Sequence, residues 1–253
     1  MIEIAPTSVT PALRALLPKT GYTYRRYFAV LDGTSGGRIL SDDAATPNWV
    51  AVHELSSDGC LFLGGALTRD LVHKIIDALR RERTVTLGVE PNDPLLPLVP
   101  EPSREGHDMD FDDRDPSVDL EPLCTPPDDL RLARIEREIE PRCLWTPWMF
   151  VDGPTAVERG IGYCLLDGDV VASESYAGPE VNSELEIAVI TRDGYRRRGL
   201  ASIVAARTVL ECERHGYRTW WNTSLDNIGS ASIARSLGYR TERHYRTWAW
   251  DKA

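Results

Sequence analysis

The residues best suited to chemistry are Tyr195-Arg196-Arg197-Arg198-Gly199-Leu200-Ala201. They follow an alternating apolar stretch, SELEIAVIT (183–191), and open a long apolar-striped segment from Leu200 to His215. A strand–turn–helix junction of this kind leaves several backbone N–H groups unpaired at the positive end of the helix dipole. Together these form an anion cradle. Gly199 lets the backbone approach a phosphate closely, and small Ala201 avoids crowding it. Arg196, Arg197 and Arg198 add charge well matched to phosphate. The chemistry this predicts is pyrophosphate binding. The loop is neither a P-loop nor a dinucleotide fingerprint: it has no GK[ST], and no second glycine two residues from the first. Taken alone, R-x-x-G-x-A is short and common, and also describes a basic helix start on a surface.

Elements on both sides must position this loop. GIGYCLLDG (160–168) and DVVASESYAG (169–178) read as two strands joined across Gly168-Asp169. The next strand, 183–191, is apolar at Leu185, Ile187 and Val189. The helix Leu200–His215 carries a stripe of Leu200, Ile203, Val204 and Leu210, interrupted by Arg207, with Gly216 as its C-terminal stop. YRTWWNT (217–223) is a strand, Ser230–Leu237 a short helix stopped by Gly238, and 239–250 a last strand or bent pair. LRLARI (130–135) reads as a strand running into a helix near Glu136–Cys143. Upstream, 48–55 and 59–67 form a hairpin across Ser56–Asp58. Thr68 caps a helix to Arg83 with Leu71, Val72, Ile75, Ile76 and Leu79 at helical spacing, and 84–90 is a strand. That half holds no chemical motif and reads as scaffold or as a substrate-facing wall. Between the halves, Pro91–Pro127 holds 9 of the 17 prolines and most of the excess acid. Proline starves helices and central strands, so this segment reads as a linker, with DMDFDD (108–113) as a short edge strand. The expected division is an N-terminal αβ domain (1–90), an acidic Pro-rich linker (91–127) and a C-terminal domain (128–253).

The 253 residues allow one large or two small domains. Hydrophobic residues at 42 % and charged residues at 27 % exclude wholesale disorder, collagen and coiled coil. No apolar run approaches the roughly 18 residues a membrane span needs. The N-terminus lacks a basic region followed by an apolar one, so no signal peptide and a cytoplasmic location are expected. The net charge of −10 argues against nucleic acid or an anionic membrane as partner. The charge is uneven. Nine carboxylates between Glu101 and Glu121 face only Arg104 and Arg114, a net of −7, whereas the residues from Leu185 onward sum to +5. The basic C-terminal third can therefore hold an anionic ligand. Cys60, Cys124, Cys143, Cys164 and Cys212 are scattered and never spaced CxxC, so buried reduced thiols are expected, with no disulfide framework and no metal site. His53 and His73 share no ligand spacing with them.

The loop has company. Asn227-Ile228-Gly229-Ser230 and Leu237-Gly238-Tyr239 follow about 30 residues later. Gly160-Ile161-Gly162-Tyr163 and Glu186-Ile187-Ala188-Val189-Ile190-Thr191 precede it. In order and spacing these resemble the GCN5-related N-acetyltransferase (GNAT) superfamily, in a bacterial two-domain branch, over roughly 127–253. The resemblance implies an α/β (α+β) fold with a mixed, mostly antiparallel central sheet flanked by helices. It implies acetyl-CoA or another acyl-CoA as co-substrate and a primary amine of a small molecule as acceptor. The backbone of Val189, Ile190 and Thr191 would pair with the pantetheine arm, where the central strand splays from its neighbour, and Val189 would offer an oxyanion contact. Backbone groups of Arg196, Arg197, Arg198, Gly199, Leu200 and Ala201 would bind the pyrophosphate. Asn227 would hydrogen-bond the pantetheine and Ser230 would sit close by; a turn residue and an ordinary first-turn residue are the plainer readings. The N-terminal half, by its order of hairpin, helix and strand, reads as a degenerate copy of the same fold that binds no CoA.

The reaction needs a neutral amine. With a lysine-like pKa near 10.4, only about 0.05 % is neutral at pH 7, a handicap of about 4–5 kcal/mol unless a base removes the proton. Glu186 is the candidate base, directly or through water; Glu184 and Glu174 are weaker, and a structural carboxylate paired with an arginine is the alternative. The superfamily's usual acid, a tyrosine four residues before the L-G-[FY] glycine, is Ala234 here. Tyr239 and Tyr245 are the nearby substitutes. Otherwise the thiolate leaves unaided, its pKa near 8.5. Trp145, Trp148 and Phe150 lie where this fold places substrate loops and form a candidate acceptor wall, or simply core aromatics. Transfer from aminoacyl-tRNA by the same fold, and a non-catalytic module that senses acyl-CoA, stand as alternatives. Tailoring of, or resistance to, an amine-bearing natural product is the expected use, and 26 Arg against 3 Lys fits a GC-rich genome. Monomer and homodimer are both compatible with the sequence.

Overall fold

Strand alternation and helix caps build the frame locally, and the computed structural model describes it for residues 1–18, 24–55, 59–90, 92–144 and 149–253. The chain divides into unit 1, Met1–Asp108 with His244–Ala253, and unit 2, Met109–Arg243.

Unit 1 runs β1 (Ile2–Glu3), α1 (Pro11–Ala15), α2 (Tyr24–Leu31), β2 (Gly37–Ser41), β3 (Trp49–Glu54), β4 (Leu61–Gly65), α3 (Arg69–Leu79) and β5 (Val85–Val89). The expected hairpin is β3–β4; its turn, Ser56–Asp58, lies outside the described residues. Thr68 caps α3 as expected, its Oγ1 accepting from Leu71 N at 3.3 Å. The helix stops at Leu79 rather than Arg83, and Arg83 instead donates to Leu55 O at 2.7 Å. Val72, Ile75, Ile76 and Leu79 are its buried stripe. The sheet order is β1-β2-β3-β4, all antiparallel. A parallel bridge, Cys60 with Thr86, follows toward β5. The elements not foreseen are β1, α1, α2 and β2. Adjacent Arg25 and Arg26 break the apolar stripe of α2, and β2 has only five residues.

Burial in this unit has a pH consequence. His53 on β3 is 2 % exposed. Burial, reinforced by the positive charge of Arg83, holds its pKa at about 4. The unfolded chain takes up the proton near pH 6.5, before the folded one does. Stability is therefore complete above about pH 6.5 and falls as the pH drops toward 4, by about 3 kcal/mol at most. Urea midpoints between pH 7 and 4.5 should fall less steeply in His53→Gln than in wild type; parallel slopes would assign the acid sensitivity elsewhere.

β6 (Arg104–Phe111) crosses the border between units. The segment expected as a linker with an edge strand is built into both cores. Val99 packs with the apolar cluster of unit 1, and Met109, Phe111 and Leu120 with that of unit 2. In unit 1, Ser103 N donates to Ala249 O at 2.8 Å, and Arg246 pairs with Glu105 at 2.6 Å. In unit 2, Asn222 donates to Asp110 Oδ1 at 2.7 Å. Its prolines fall outside β6, where they cost no ladder bonds.

Unit 2 continues with β7 (Arg131–Arg134), α4 (Gly153–Arg159), β8 (Ile161–Asp167), β9 (Val170–Ala177), β10 (Glu184–Thr191), α5 (Leu200–Arg214), β11 (Arg218–Ser224) and α6 (Ile228–Ser236). In place of the helix expected near Glu136–Cys143 there is a 3-10 turn, Glu140–Arg142. The strand order is β11-β10-β9-β8-β7. Neighbours are antiparallel except β10 and β11, which are parallel. Gly216, at φ +81°, ends α5 as expected. Arg207, the interruption in its stripe, lies 5.0 Å over the Tyr163 ring and pairs with Glu211 at 3.2 Å. The last strand, β12 (Glu242–Trp250), places its C-terminal part in unit 1, antiparallel to β5 from Arg246↔Val89 to Trp250↔Val85. The expected C-terminal domain therefore differs from unit 2 at both ends: it begins at 128 rather than Met109, and it includes residues 244–253 that complete unit 1.

The G-I-G-Y segment has a packing explanation. The Tyr176 ring lies across Gly160 and Gly162, so a Cβ on either would penetrate it. The Tyr176 hydroxyl donates to Ala156 O at 2.6 Å, and Phe150 meets the ring edge-on at 5.8 Å. Gly162→Ala should cost about 1–3 kcal/mol by overpacking. Denaturant titration of the Gly162→Ala and Tyr176→Leu cycle checks this: the cost should largely vanish without the ring, and full additivity would refute the explanation.

Candidate functional site

The site is assembled from β10, the turn that follows it and the start of α5. Side chains alternate along β10. Leu185 and Ile187 join the core with Ala205 and Val209 of α5, and Val189 packs against it. Glu184, Glu186, Ala188 and Ile190 take the other face. The parallel ladder with β11 covers only Glu184–Glu186 against Arg218–Trp220. The ladder with β9 runs on from Ile187↔Ala177 to Thr191↔Ser173. β10 thus leaves β11 beyond Glu186, and Val189, Ile190 and Thr191 lie on the diverging stretch. The ladder of β10 with β9 is continuous; the register shift nearby lies in the β8–β9 ladder, where Leu165↔Ser173 is followed by Leu166↔Val171 and Ala172 of β9 is passed over.

At the end of β10 a 3-10 turn, Asp193–Tyr195, leads to the arginine loop. Arg197 adopts φ +65° and Gly199 φ +76°. Left-handed residues of this kind turn successive N–H groups toward a common point, the geometry of an anion nest. A Cβ at Gly199 would meet nothing within 4 Å, so the approach is open. The first turn of α5 has no side-chain cap and no acidic residue to answer its positive dipole end, although Ser202 N donates to Gly199 O at 3.1 Å. The side chains around the loop are tied down. The Tyr195 hydroxyl donates to Asp167 Oδ2 at 2.8 Å, and this bond raises its pKa above the ordinary tyrosine value. Arg198 pairs with Asp129 at 2.6 Å, and Arg196 with Asp193 at 3.0 Å. Leu200 is buried and Ala201 half-buried. The arrangement offers backbone donors and a helix N-terminus at an open approach, the features an anion site would need.

The other expected residues fall into three groups. Glu186 lies across from Trp220 in the last parallel pair. A methyl on neighbouring Gly178 would be 3.7 Å from Glu186 Cβ and 2.8 Å from Met149 Cε, so Met149 overlies this corner. Of the weaker carboxylates, Glu174 is buried and accepts from Leu144 N at 2.9 Å, and Glu184 lies 3.6 Å from Arg218. Asn227 caps α6, its Oδ1 accepting from Ser230 N at 3.2 Å, and is exposed. The Ser230 hydroxyl accepts from Trp221 Nε1 at 3.0 Å.

The remaining residues lie elsewhere. Tyr239 is buried in the unit 2 core against Phe111 and Trp221, and its hydroxyl donates to Thr219 Oγ1 at 2.6 Å. Burial pushes its pKa well above the tyrosine range. Both facts make it a structural tyrosine rather than a proton donor to a ligand. Tyr245 is a buried residue of unit 1, so it does not share a unit with the loop. Phe150 is 2 % exposed and belongs to the cluster under Tyr176, so it is core and not acceptor wall. Trp145 and Trp148 lie outside the described residues. Ala234 is buried in the unit 2 core. The residue missed in the sequence is Arg192. Its Nε donates to Val171 O at 2.7 Å and its Nη2 to Arg142 O at 2.9 Å, which fastens segment 142–144 beside the end of β10. Only its place directly after the strand hinted at this. Among the described residues no cluster of histidine, cysteine or carboxylate side chains could hold a metal, and no helix is long and apolar enough to cross a membrane.

Known proteins share this fold. A crystal structure of a GCN5-related N-acetyltransferase-like protein from Streptococcus suis 89/1591 aligns with a TM-score of 0.71 at 23 % identity, covering 90 % of this chain and 94 % of that one. A tandem GNAT protein from the clavulanic acid biosynthesis pathway aligns over 100 % of this chain and 98 % of its own, with a TM-score of 0.60 at 12 % identity. At these identities the likeness is one of fold. An uncharacterized N-acetyltransferase of Bacillus subtilis (strain 168), YdfB, is 31 % identical over 87 residues, or 34 % of this chain; the match spans about a third (33 %) of that relative's length. The family model of GNAT acetyltransferases matches residues 23–248, nearly the whole chain and both units. Sequence and architecture agree, and the chain belongs to the GNAT acetyltransferase family.

Proposed function

We infer that the protein transfers an acetyl group from acetyl-CoA to a primary amine of a small molecule, by direct attack in a ternary complex. The observation that carries this reading is the divergence of β10 from β11 directly before an open, uncapped helix start. A thioester arm laid along Val189–Thr191 would end with its diphosphate at the N–H groups of Arg197–Ala201, since Arg196 N already donates to Asp193 O at 3.3 Å. Between these two stretches the N–H groups of Arg192, Tyr195 and Arg196 are spent on the carbonyls of Ala172, Arg192 and Asp193, so the ligand would be held at two separate sets of main-chain donors. The Val189 N–H would meet charge developing on the thioester oxygen, where a preorganised donor contributes most. Asn227 would present its exposed amide to the pantetheine, while Ser230, engaged with Trp221, would only flank it.

On the acceptor side Glu186 would take the amine proton, directly or through water. No acid role goes to Tyr239, for the reasons of burial and bonding given above, nor to Tyr245, which is buried. A thiolate with a pKa near 8.5 is a tolerable leaving group without one. The test combines acetyl-CoA calorimetry with thiol release across a panel of primary amines. Binding near one equivalent per chain is expected. Glu186→Gln should bind acetyl-CoA like wild type and lower kcat by about 10²–10⁴-fold. Absence of acetyl-CoA binding in wild type would overturn the reading. Unchanged turnover in Glu186→Gln would move the base elsewhere.

A further inference from the structure

Unit 1 repeats the design of unit 2 strand for strand. In each, three strands follow antiparallel to one another and to a first short one, and a helix then leads to a strand that starts parallel to the fourth. The registers agree as well. The last parallel pair is Cys60↔Thr86 in unit 1 and Glu186↔Trp220 in unit 2. Two residues further, Phe62 stands opposite Val52, as Ala188 stands opposite Tyr176. One strand further out, Ile39 faces Val52 as Gly162 faces Tyr176. Cys60, Phe62 and Ile39 in unit 1 thus hold the places of Glu186, Ala188 and Gly162 in unit 2.

Unit 1 is therefore an internal comparison for the face of the sheet opposite its main helix. There, Phe62 is buried and meets Tyr27 edge-on at 5.0 Å, with Leu13 and Leu17 in the same cluster. A Cβ at Gly64 would strike the backbone carbonyl of Leu16, so α1 and its end lie directly on β4. The start of α3 is capped by Thr68 and carries Asp70 in its first turn, which opposes an anion. In unit 2 the same face is arranged otherwise. The place of Phe62 holds a methyl group, and Ala188 remains partly exposed. The two β9 side chains beside it are turned aside: the Tyr176 ring lies on Gly160 and Gly162, and Glu174 reaches Leu144 N. Glu186 and Ile190 flank Ala188 on the same face.

We propose that Ala188 is the floor of the acceptor subsite, and that the group bearing the amine, about the size of the benzyl group it replaces, lies over it between Glu186 and Ile190. This rests on the acyl-CoA reading above. Alanine at this position sets how bulky that group can be, and phenylalanine closes the equivalent place in unit 1.

The test places a nucleophile at the floor. Ala188→Cys is incubated with bromoacetyl-CoA. The introduced thiolate would attack the bromomethyl carbon, forming a C–S bond as the C–Br bond breaks; bromide leaves and the thiol proton goes to solvent. One adduct per chain is expected at the substituted position. It should form at least about tenfold faster than at any native cysteine, because the bound pair reacts as if intramolecular. Excess CoA should prevent it. Ile190→Cys, on the same face, carries the same expectation should the first variant fail to fold. If bromoacetyl-CoA displaces acetyl-CoA from its site yet leaves both engineered thiols unmodified, the floor is elsewhere and only this proposal falls. If wild type binds neither acyl-CoA, the functional reading falls and takes the proposal with it.

Discussion

Gly199→Glu is expected to abolish acyl-CoA binding while the protein stays folded. The residue sits at φ +76°, at the N-cap of α5, with nothing within 4 Å of the place a Cβ would take. The side chain therefore fits in space, and the backbone strain of a left-handed non-glycine residue costs only about 1–2 kcal/mol. The carboxylate, however, would occupy the positive end of the helix and compete for the N–H groups that would bind the diphosphate under the proposed reading. Loss of those charge-assisted bonds plus like-charge repulsion should raise Kd at least about 100-fold, or some 3 kcal/mol. Gly199→Asn separates the causes. Asparagine tolerates the left-handed region and carries no charge, so its Kd should move by less than about tenfold. Calorimetry with acetyl-CoA reads both variants. Wild-type affinity in Gly199→Glu would mean that the diphosphate, if bound at all, lies away from this loop.

Arg114→Ala should be among the most destabilising single changes in unit 2. The Arg114 side chain is 5 % exposed. It grips Glu213 near the end of α5 with two bonds, 2.6 Å from Nε and 2.7 Å from Nη2. Its Nη1 donates to Leu237 O at 3.0 Å and to Val118 O at 3.2 Å. One guanidinium thus supplies a donor to a carbonyl just past the end of α6, where helical partners run out, and ties segment 114–118 to both helix ends. Breaking a buried pair of this kind costs about 3–5 kcal/mol. The Glu213 side chain is 32 % exposed and can recover some hydration, which favours the lower end. At about 2–4 °C per kcal/mol for a chain of this size, Tm should fall by roughly 10 °C. Arg114→Lys should restore less than half, since a single ammonium cannot reproduce the fork. A loss below about 1 kcal/mol in Arg114→Ala would show that the network is a surface ornament.

The contrast between these two residues marks how far the sequence reads. Gly199 was legible because its role is local. A glycine between an alternating strand and a striped helix, preceded by arginines, defines a turn and a charge in a few consecutive residues. The same holds for Thr68 capping α3, for Gly216 ending α5, and for the alternation that puts Leu185 and Ile187 in the core and Glu186 on the opposite face. Turn chemistry, caps and periodicity are properties of neighbours along the chain, so composition and spacing determine them.

Arg114 was not legible. In the sequence it is one of two cations in a run of carboxylates, and its partner Glu213 lies 99 residues away. Proline and acid made 91–127 read as a tether, yet Val99, Phe111 and Leu120 are buried in the two cores. Nor does anything local say that Trp250 pairs with Val85, that Tyr239 spends its hydroxyl on Thr219, or that the glycines at 160 and 162 exist to seat Tyr176. Such partners meet only after chain segments far apart have been brought together, and the energy that selects them comes from burial and shape rather than from neighbours in sequence. The sequence by itself determined the family resemblance, the arginine–glycine turn and the strand–helix order from β8 to α6. Tertiary structure alone decided which strands complete which unit, which tyrosines and aromatics are core, and that Ala188 beside Glu186 stays partly exposed.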